Sequence, residues 1–152
     1  MKKKNIKICF ISSSGGHYEQ LKMLKPLSDK YVSIWITEKT VYKERADYYL
    51  LQTGLKDIFF PFKMTYNFIR SFIIFVKFNP DYVISTGTMV AFPMAYLAKI
   101  FRKKLIYIET FARINDSTRT GKVMYKKADL FIVQWEELKS VYPNAIYGGS
   151  IY

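Results

Sequence analysis

The stretch that most constrains the fold is residues 6–27. A short apolar run (Ile6, Ile8, Cys9, Phe10, Ile11) leads into Ser12-Ser13-Ser14-Gly15-Gly16-His17. Tyr18, Leu21, Leu24 and Leu27 then recur every third residue, with Lys22 and Lys25 on other faces. The run reads as a buried strand, the small residues as a tight turn, and the spacing as a helix beginning near His17. Together they open a βαβ unit. The helix start aims free N–H groups and a positive dipole end above the sheet, glycine permits close approach, and serine hydroxyls add donors. Two readings stand: an anion site, for phosphate first of all, or a plain tight turn with a capped helix.

The remaining chain repeats this alternation. Further strands are expected at 31–37, 57–60, 81–85, 104–109, 130–133 and 146–147. Helices are expected at 44–51 (ended by Gly54), 64–78 (ended by Asn79-Pro80), 89–101 (with Pro93 near its first turn), 121–128 and 136–141. Strands alternating with helices predict an α/β fold with a parallel sheet covered on both faces. The 152 residues suit one domain, 1–152. In such a sheet ligands bind beyond the carboxyl ends of the strands. The turns that fall there are 12–17, 86–88, 109–115 and 134–136, and one cleft along one edge would collect them.

Composition narrows the function. Cys9 is the only cysteine, so no disulfide forms within one chain and a reducing compartment is expected; with one histidine it also rules out the usual N/S zinc site. The net charge of +12, from 24 basic and 12 acidic residues, calls for an acidic partner: nucleic acid, anionic lipid or a phosphorylated substrate. No nucleic-acid-binding module is recognisable, so nucleic acid is not expected. Met1-Lys2-Lys3-Lys4 looks like the start of a signal peptide, but the apolar run behind it stops at Ser12, which argues against export. The longest pure apolar run, 72–76, falls far short of the ~20 residues of a membrane span.

The helix at 64–78 carries a second signal. At 100° per residue, Lys63, Arg70 and Lys77 form one narrow stripe, while Phe68, Phe72 and Phe75 lie opposite and should face the sheet. Tyr66, Ile73 and Ile74 flank the stripe, where a soluble helix is normally polar. Lys63, Tyr66, Arg70, Ile73, Ile74 and Lys77 therefore suit an anionic membrane surface; the other reading is a core helix with a wide buried face and snorkelling lysines. Lys99, Arg102, Lys103 and Lys104 read as a solvated basic surface.

Two residues carry candidate chemistry. His17, at the mouth of the first turn, is a general base for a sugar hydroxyl, an oxygen-binding donor, or a helix-start residue satisfied by backbone. Glu109 ends a buried strand, where a carboxylate needs a partner or a ligand. Arg113 and Arg119 are its expected partners or bind phosphate themselves; otherwise the pair merely fixes the loop. Asn115 and Asp116 read as turn residues. There is no Walker lysine, no nucleophile elbow and no metal-ligand cluster.

Several motifs together resemble one family. They are Ser13-Ser14-Gly15-Gly16-His17; Ser85-Thr86-Gly87 through Pro93; Tyr107-Ile108-Glu109-Thr110-Phe111-Ala112-Arg113; Gly121-Lys122; and Ala128-Asp129-Leu130-Phe131-Ile132-Val133-Gln134-Trp135. They resemble the acceptor-side subunit of the split N-acetylglucosaminyltransferase of dolichol-linked oligosaccharide synthesis. The likeness is strongest to its bacterial counterparts in capsule and exopolysaccharide synthesis, the PssD and CpsF type. The resemblance implies a Rossmann-like domain equivalent to the N-terminal half of a GT-B glycosyltransferase such as MurG. In that fold the N-terminal half holds the lipid-linked acceptor and meets the membrane, and the C-terminal half holds the UDP-sugar.

The chain would stop about where the second half begins. The resemblance thus implies a donor-binding partner of the GT-B C-terminal-half type, which this subunit recruits to the membrane and enhances or completes. The UDP-sugar is expected on that partner, and no cofactor or metal is expected here. Mapped onto this sequence, Ser13, Ser14, Gly15, Gly16 and His17 would form the first loop for a lipid-pyrophosphate-linked sugar acceptor. Thr86, Gly87 and Thr88 would form the second, which is leaner than in MurG. Glu109 and Arg113 would sit in the cleft facing the partner. His17 matches a histidine proposed as a base in the MurG-like loop, and Glu109 is the second catalytic candidate. Eukaryotic members carry a membrane-spanning N-terminus; here a cytoplasmic location, peripheral at the inner face of the cell membrane, is expected instead. A non-catalytic membrane adaptor and a stand-alone nucleotide-sugar-binding enzyme are the alternatives.

Overall fold

The computed structural model describes residues 4–41, 44–54 and 57–152; Met1-Lys2-Lys3 and part of the polar stretch 38–56 lie outside the described residues. Seven strands form one sheet: β1 (Lys4–Ile11), β2 (Tyr31–Lys39), β3 (Tyr48–Leu51), β4 (Tyr82–Ser85), β5 (Lys104–Ile108), β6 (Leu130–Val133) and β7 (Ile146–Tyr147). Their order is β3-β2-β1-β4-β5-β6-β7, and every neighbouring pair is parallel. The fold is the expected Rossmann-like one. The order reverses between β1 and β4, so the turns after these two strands lie side by side at the carboxyl edge.

Side chains alternate across the sheet. Cys9, Ile11, Val83, Leu105, Tyr107, Phe131 and Val133 pack into one core with α3 (Phe60–Phe78), α4 (Phe92–Ile100) and α5 (Arg119–Tyr125). Ile8, Phe10, Ile84 and Ile108 face the other way, toward α1 (Gly16–Lys22) and α2 (Lys25–Lys30). That second layer is narrow. Beyond α2, a shallow groove of about 190 Å³ lined by Ile6, Ile8, Leu27, Tyr82, Ile84 and Ile106 stays open.

Three local expectations change. The first helix breaks after Lys22, because Pro26, in the first turn of α2, lacks an N–H and its ring collides with a helical carbonyl four residues back. Residues 48–51, expected as helix, form the edge strand β3, whose pairing with Ile36–Lys39 outweighs a weak local period. Residues 57–60, expected as strand, turn into α3 instead. Asp57 accepts from the Phe59 and Phe60 amides (both 2.9 Å) through its side chain and carbonyl respectively, and pairs with Lys63. Pro61 therefore opens a helix rather than stopping a strand. Asn79, at φ 49°, closes α3. In the basic cluster, Lys99 and Lys104 pair with Asp129, and Lys103 with Asp81.

The largest correction concerns the roll of α3. Asn67, Ser71, Ile74 and Phe75 face inward, whereas Phe68 and Phe72, expected against the sheet, are more than 40% exposed. Ile74, expected at a membrane, is 4% exposed and belongs to the core. The cause is Asn67, which accepts from the Leu51 amide (2.8 Å) and donates to the Leu51 carbonyl (2.9 Å), filling both backbone positions at the end of β3. That polar clasp fixes the roll and turns Phe62, Ile69, Ile73 and Val76 outward. Asn67→Leu is expected to orphan both groups and lose about 2 kcal/mol, seen as a lower urea midpoint at unchanged slope.

Candidate functional site

The site is built where the turns after β1 and β4 lock together. Ser13 N donates to Gly87 O (3.0 Å), and Thr86 Oγ1 donates to His17 O (2.7 Å). The His17 ring closes the lock, with Nδ1 2.9 Å from Thr86 O. A carbonyl only accepts, so this contact assigns the proton to Nδ1 and, in the neutral ring, leaves the lone pair on Nε2. Gly15 (φ 75°) and Gly87 (φ 110°) adopt left-handed backbone, and a Cβ on Gly87 would stand 3.4 Å from the imidazole. Thr88 accepts from Ala91 N (3.1 Å) and starts the short 3₁₀ turn Met89–Ala91 that precedes α4. The structure thus brings Ser13, Ser14, Gly15, Gly16, His17, Thr86, Gly87 and Thr88 together.

Two amides of the first turn are taken by carboxyl groups of the chain itself. Ser14 N donates to Glu38 (3.4 Å) and Gly15 N to Glu44 (2.8 Å). Glu38 is 5% exposed and also accepts from Thr53 N (3.3 Å). Burial raises its pKa, the two amides oppose that, and the Glu44 charge adds to the rise. Sequence reasoning missed both residues, although Glu38 ends a strand just as Glu109 does. Beside them a cavity of about 580 Å³ opens between the ends of β2 and β3 and helix α3, with Glu38, Glu44, Tyr49, Tyr66 and Arg70 among its walls.

Glu109 leaves β5 at the same edge, but its side chain does not join the two turns. Its side chain is fully buried, and it accepts from Tyr142 Oη (2.8 Å), Thr110 N (2.9 Å) and Thr118 Oγ1 (3.2 Å). Thr118 Oγ1 also accepts from Gly121 N (2.7 Å) and so caps α5. Burial and the Glu109 carboxylate push the Tyr142 phenol well up, keeping it a neutral donor. A Cβ on Gly121 would fall 1.8 Å from Glu109 Oε2, so the network requires glycine there. Neither expected arginine pairs with Glu109. Arg113 is exposed and pairs with Asp116, three residues on. The expected opening of Glu109 onto the cleft is therefore corrected: hydroxyl groups enclose it, and it holds loop 110–118 to α5.

Gln134 and Trp135 complete that frame. Gln134 Nε2 donates to Glu109 O (2.9 Å), Trp135 Nε1 donates to Phe111 O (2.8 Å), and the Phe111 and Trp135 rings lie 4.7 Å apart. The two most specific sequence motifs are thus the two sides of one structural clasp.

The Glu38 shift has a testable sign. A carboxyl whose folded pKa is raised favours folding in its neutral form. That contribution is complete below the ordinary glutamate range and is lost as pH rises through the raised value. Glu38→Gln is expected to gain stability relative to the parent as pH rises from below that range to neutrality, read as the difference in urea midpoints.

With this geometry established, the relatives can be placed. Residues 56–151 match the family described as "Oligosaccharide biosynthesis protein Alg14 like". The Candida albicans protein named UDP-N-acetylglucosamine transferase subunit ALG14 is 28% identical, over 97% of this chain and 80% of its own length. Among solved structures, MurG of Acinetobacter baumannii superposes with a TM-score of 0.70 at 15% identity, over 87% of this chain and 42% of MurG. S. aureus MnaA, solved with UDP, gives 0.71 at 16%, over 96% and 44%. The chain spans less than half of either of these two proteins, and at such identity they speak to the fold, the Rossmann-like half of a GT-B enzyme. Fold, motifs and matched length agree: the chain belongs to the Alg14-like family of oligosaccharide biosynthesis proteins.

Proposed function

We propose that this chain is the acceptor-side, membrane-associated subunit of a two-component glycosyltransferase that builds a lipid-linked saccharide for a capsule or exopolysaccharide. A second chain of the GT-B C-terminal-half type holds the UDP-sugar. The observation that carries this reading is His17, held by Thr86 O with Nε2 free, at the junction of two glycine turns on the open edge of the sheet. The relatives' name, transferase subunit, supports it. The open groove on the narrow side of the sheet adds apolar surface for a second chain.

In this reading Nε2 takes the proton of the acceptor hydroxyl as that oxygen attacks the donor's anomeric carbon. The bond from that carbon to phosphate breaks, UDP leaves with the electron pair, and the configuration inverts. The free end of the first turn and residues 86–88 face the acceptor pyrophosphate. Arg113, exposed on its loop, would exchange its Asp116 pair for the acceptor or the partner. Glu109 acts at a distance, as a positioning residue for that loop. The filling of the Ser14 and Gly15 amides by Glu38 and Glu44 favours a second reading, an adaptor that tethers the partner without touching substrate.

The membrane contact is α3. No helix among the described residues is long and apolar enough to cross a bilayer. Yet Phe62, Ile69, Ile73 and Val76 project outward, each more than half exposed, and Tyr66, Arg70 and Lys77 border them. Apolar side chains beside cations suit an anionic surface, here the inner face of the cell membrane, and the charge of +12 adds long-range attraction. Lys63 is partly committed to Asp57.

Two tests follow from this reading. The chain alone is expected to transfer no sugar from UDP-sugars. With its partner it supports transfer, which His17→Ala lowers about a hundredfold or more while complex formation persists; the adaptor reading expects no loss. Ile69→Glu with Ile73→Glu is expected to release the protein from phosphatidylglycerol liposomes in a sedimentation assay, with the circular dichroism spectrum unchanged.

A further inference from the structure

We infer that the basic groove between α5 and residues 141–142 receives the phosphate of an anionic phospholipid. This rests on the membrane reading of α3 above and extends that contact across the helical layer. Lys122, Lys126 and Lys127 border a cavity of about 420 Å³ walled by Val123, Tyr125 and Val141. No carboxylate lines it. Among the described residues none of the three lysines forms an ion pair. Asp129, the acid nearest to Lys127 in sequence, is taken by Lys99, Lys104 and the Leu105 amide. Three cations without an internal counter-charge leave a local positive field that an anion offsets.

The groove suits a phosphodiester with an apolar body. Its oxygens accept from ammonium groups, and the glycerol and first methylenes lie against the valines and the Tyr125 ring. That ring is held in place beforehand. Tyr125 Oη accepts from Asn144 N (2.9 Å), and its ring packs on those of Phe131 and Tyr142 at 5.2 and 5.1 Å. Helix α5 ends here, and free terminal carbonyls would oppose an anion. Met124 O, however, accepts from the Lys127 and Ala128 amides (2.9 and 2.7 Å), which reduces that opposition.

Position selects a lipid over a soluble phosphate or an acidic protein segment. Helices α3, α4 and α5 share one side of the sheet. Phe101, just after α4, sets its ring against Phe72 and Phe75 of α3, at 6.4 and 5.2 Å. Ile100 beside it is 65% exposed, and Tyr96, one turn earlier on the same face of α4, is partly exposed as well. Lys127 Nζ lies 4.3 Å from the centre of the Tyr96 ring. An exposed apolar path thus runs from Ile69 and Ile73 over Phe72, Phe101 and Ile100 to Tyr96 and the groove. A bilayer is the partner that offers hydrocarbon and phosphate side by side.

The test compares two pairs of substitutions by sedimentation with liposomes of mixed phosphatidylcholine and phosphatidylglycerol. Lys122→Gln with Lys126→Gln removes two charges from the groove. Lys25→Gln with Lys30→Gln removes the same charge from α2, on the opposite layer. The groove pair is expected to weaken partition about tenfold or more, and the α2 pair less than about threefold, with both circular dichroism spectra unchanged. Equal losses would reduce the effect to net charge and overturn the assignment. No loss from the groove pair would overturn it too and leave the groove to an acidic protein segment. Protein NMR with dihexanoyl phosphatidylglycerol below its micelle concentration is expected to give saturable shifts at Tyr125, Lys126 and Val141. Equal shifts there with inorganic phosphate would overturn the lipid assignment. Release by Ile69→Glu with Ile73→Glu, without a special loss from the groove pair, would strike the groove alone. Loss from the groove pair with that α3 variant still bound would strike the α3 reading alone.

Discussion

Everything at the working edge depends on three hydrogen bonds between residues 13–17 and 86–87. They exist because β1 and β4 are neighbours in a parallel sheet, so the turns that leave them have nowhere to go but against each other. The Ser13 amide ties backbone to backbone, the Thr86 hydroxyl donates to the His17 carbonyl, and the His17 ring spends one nitrogen on the same lock. Its orientation is thus a consequence of the fold. The other nitrogen is what remains for chemistry.

Around this lock the chain manages charge in an unusual way for so basic a sequence. Four of its acidic residues are committed to backbone amides or hydroxyls: Glu38 and Glu44 on turn amides, Glu109 within a ring of hydroxyls, Asp57 at the start of α3. The cations are left at the surface. Helix α3 is inverted in the same sense, with Asn67 and Ser71 inside and Phe62, Ile69 and Ile73 outside. A water-soluble surface gives no reason for that inversion, whereas a surface that is half apolar and half basic is what an anionic bilayer binds. In the proposed reading, the two arrangements together turn one layer of the domain toward lipid and one edge toward substrate.

Much of this was legible in the sequence. The strand, turn and helix start at 6–22, the strands expected at 81–85, 104–109 and 130–133, and a helix beginning near Pro93 follow from local rules, as does the gathering of the turns at one edge. Several misses share one cause, a partner distant in sequence. Four residues at 48–51 become a strand only because β2 is there to pair with. The roll of α3 was set by Asn67 reaching Leu51, which a helical wheel of apolar residues cannot register. Glu109 was rightly expected to be buried and partnered, but its partner Tyr142 lies 33 residues on, while the arginines nearer in sequence point to solvent. Glu38 fell in a stretch read as polar and poorly periodic and Glu44 at the start of an expected short helix, although a carboxylate ending a buried strand, as Glu38 does, carried the same warning as Glu109.

The central claim is that the interlocked turns hold His17 with its proton on Nδ1 and its lone pair on Nε2. Long-range nitrogen–proton correlation spectroscopy of the labelled imidazole measures this directly. The account predicts a proton on Nδ1 and, whenever the ring is neutral, an acceptor-type Nε2. A ring in the Nε2–H form, or one averaging freely between the two, would contradict it.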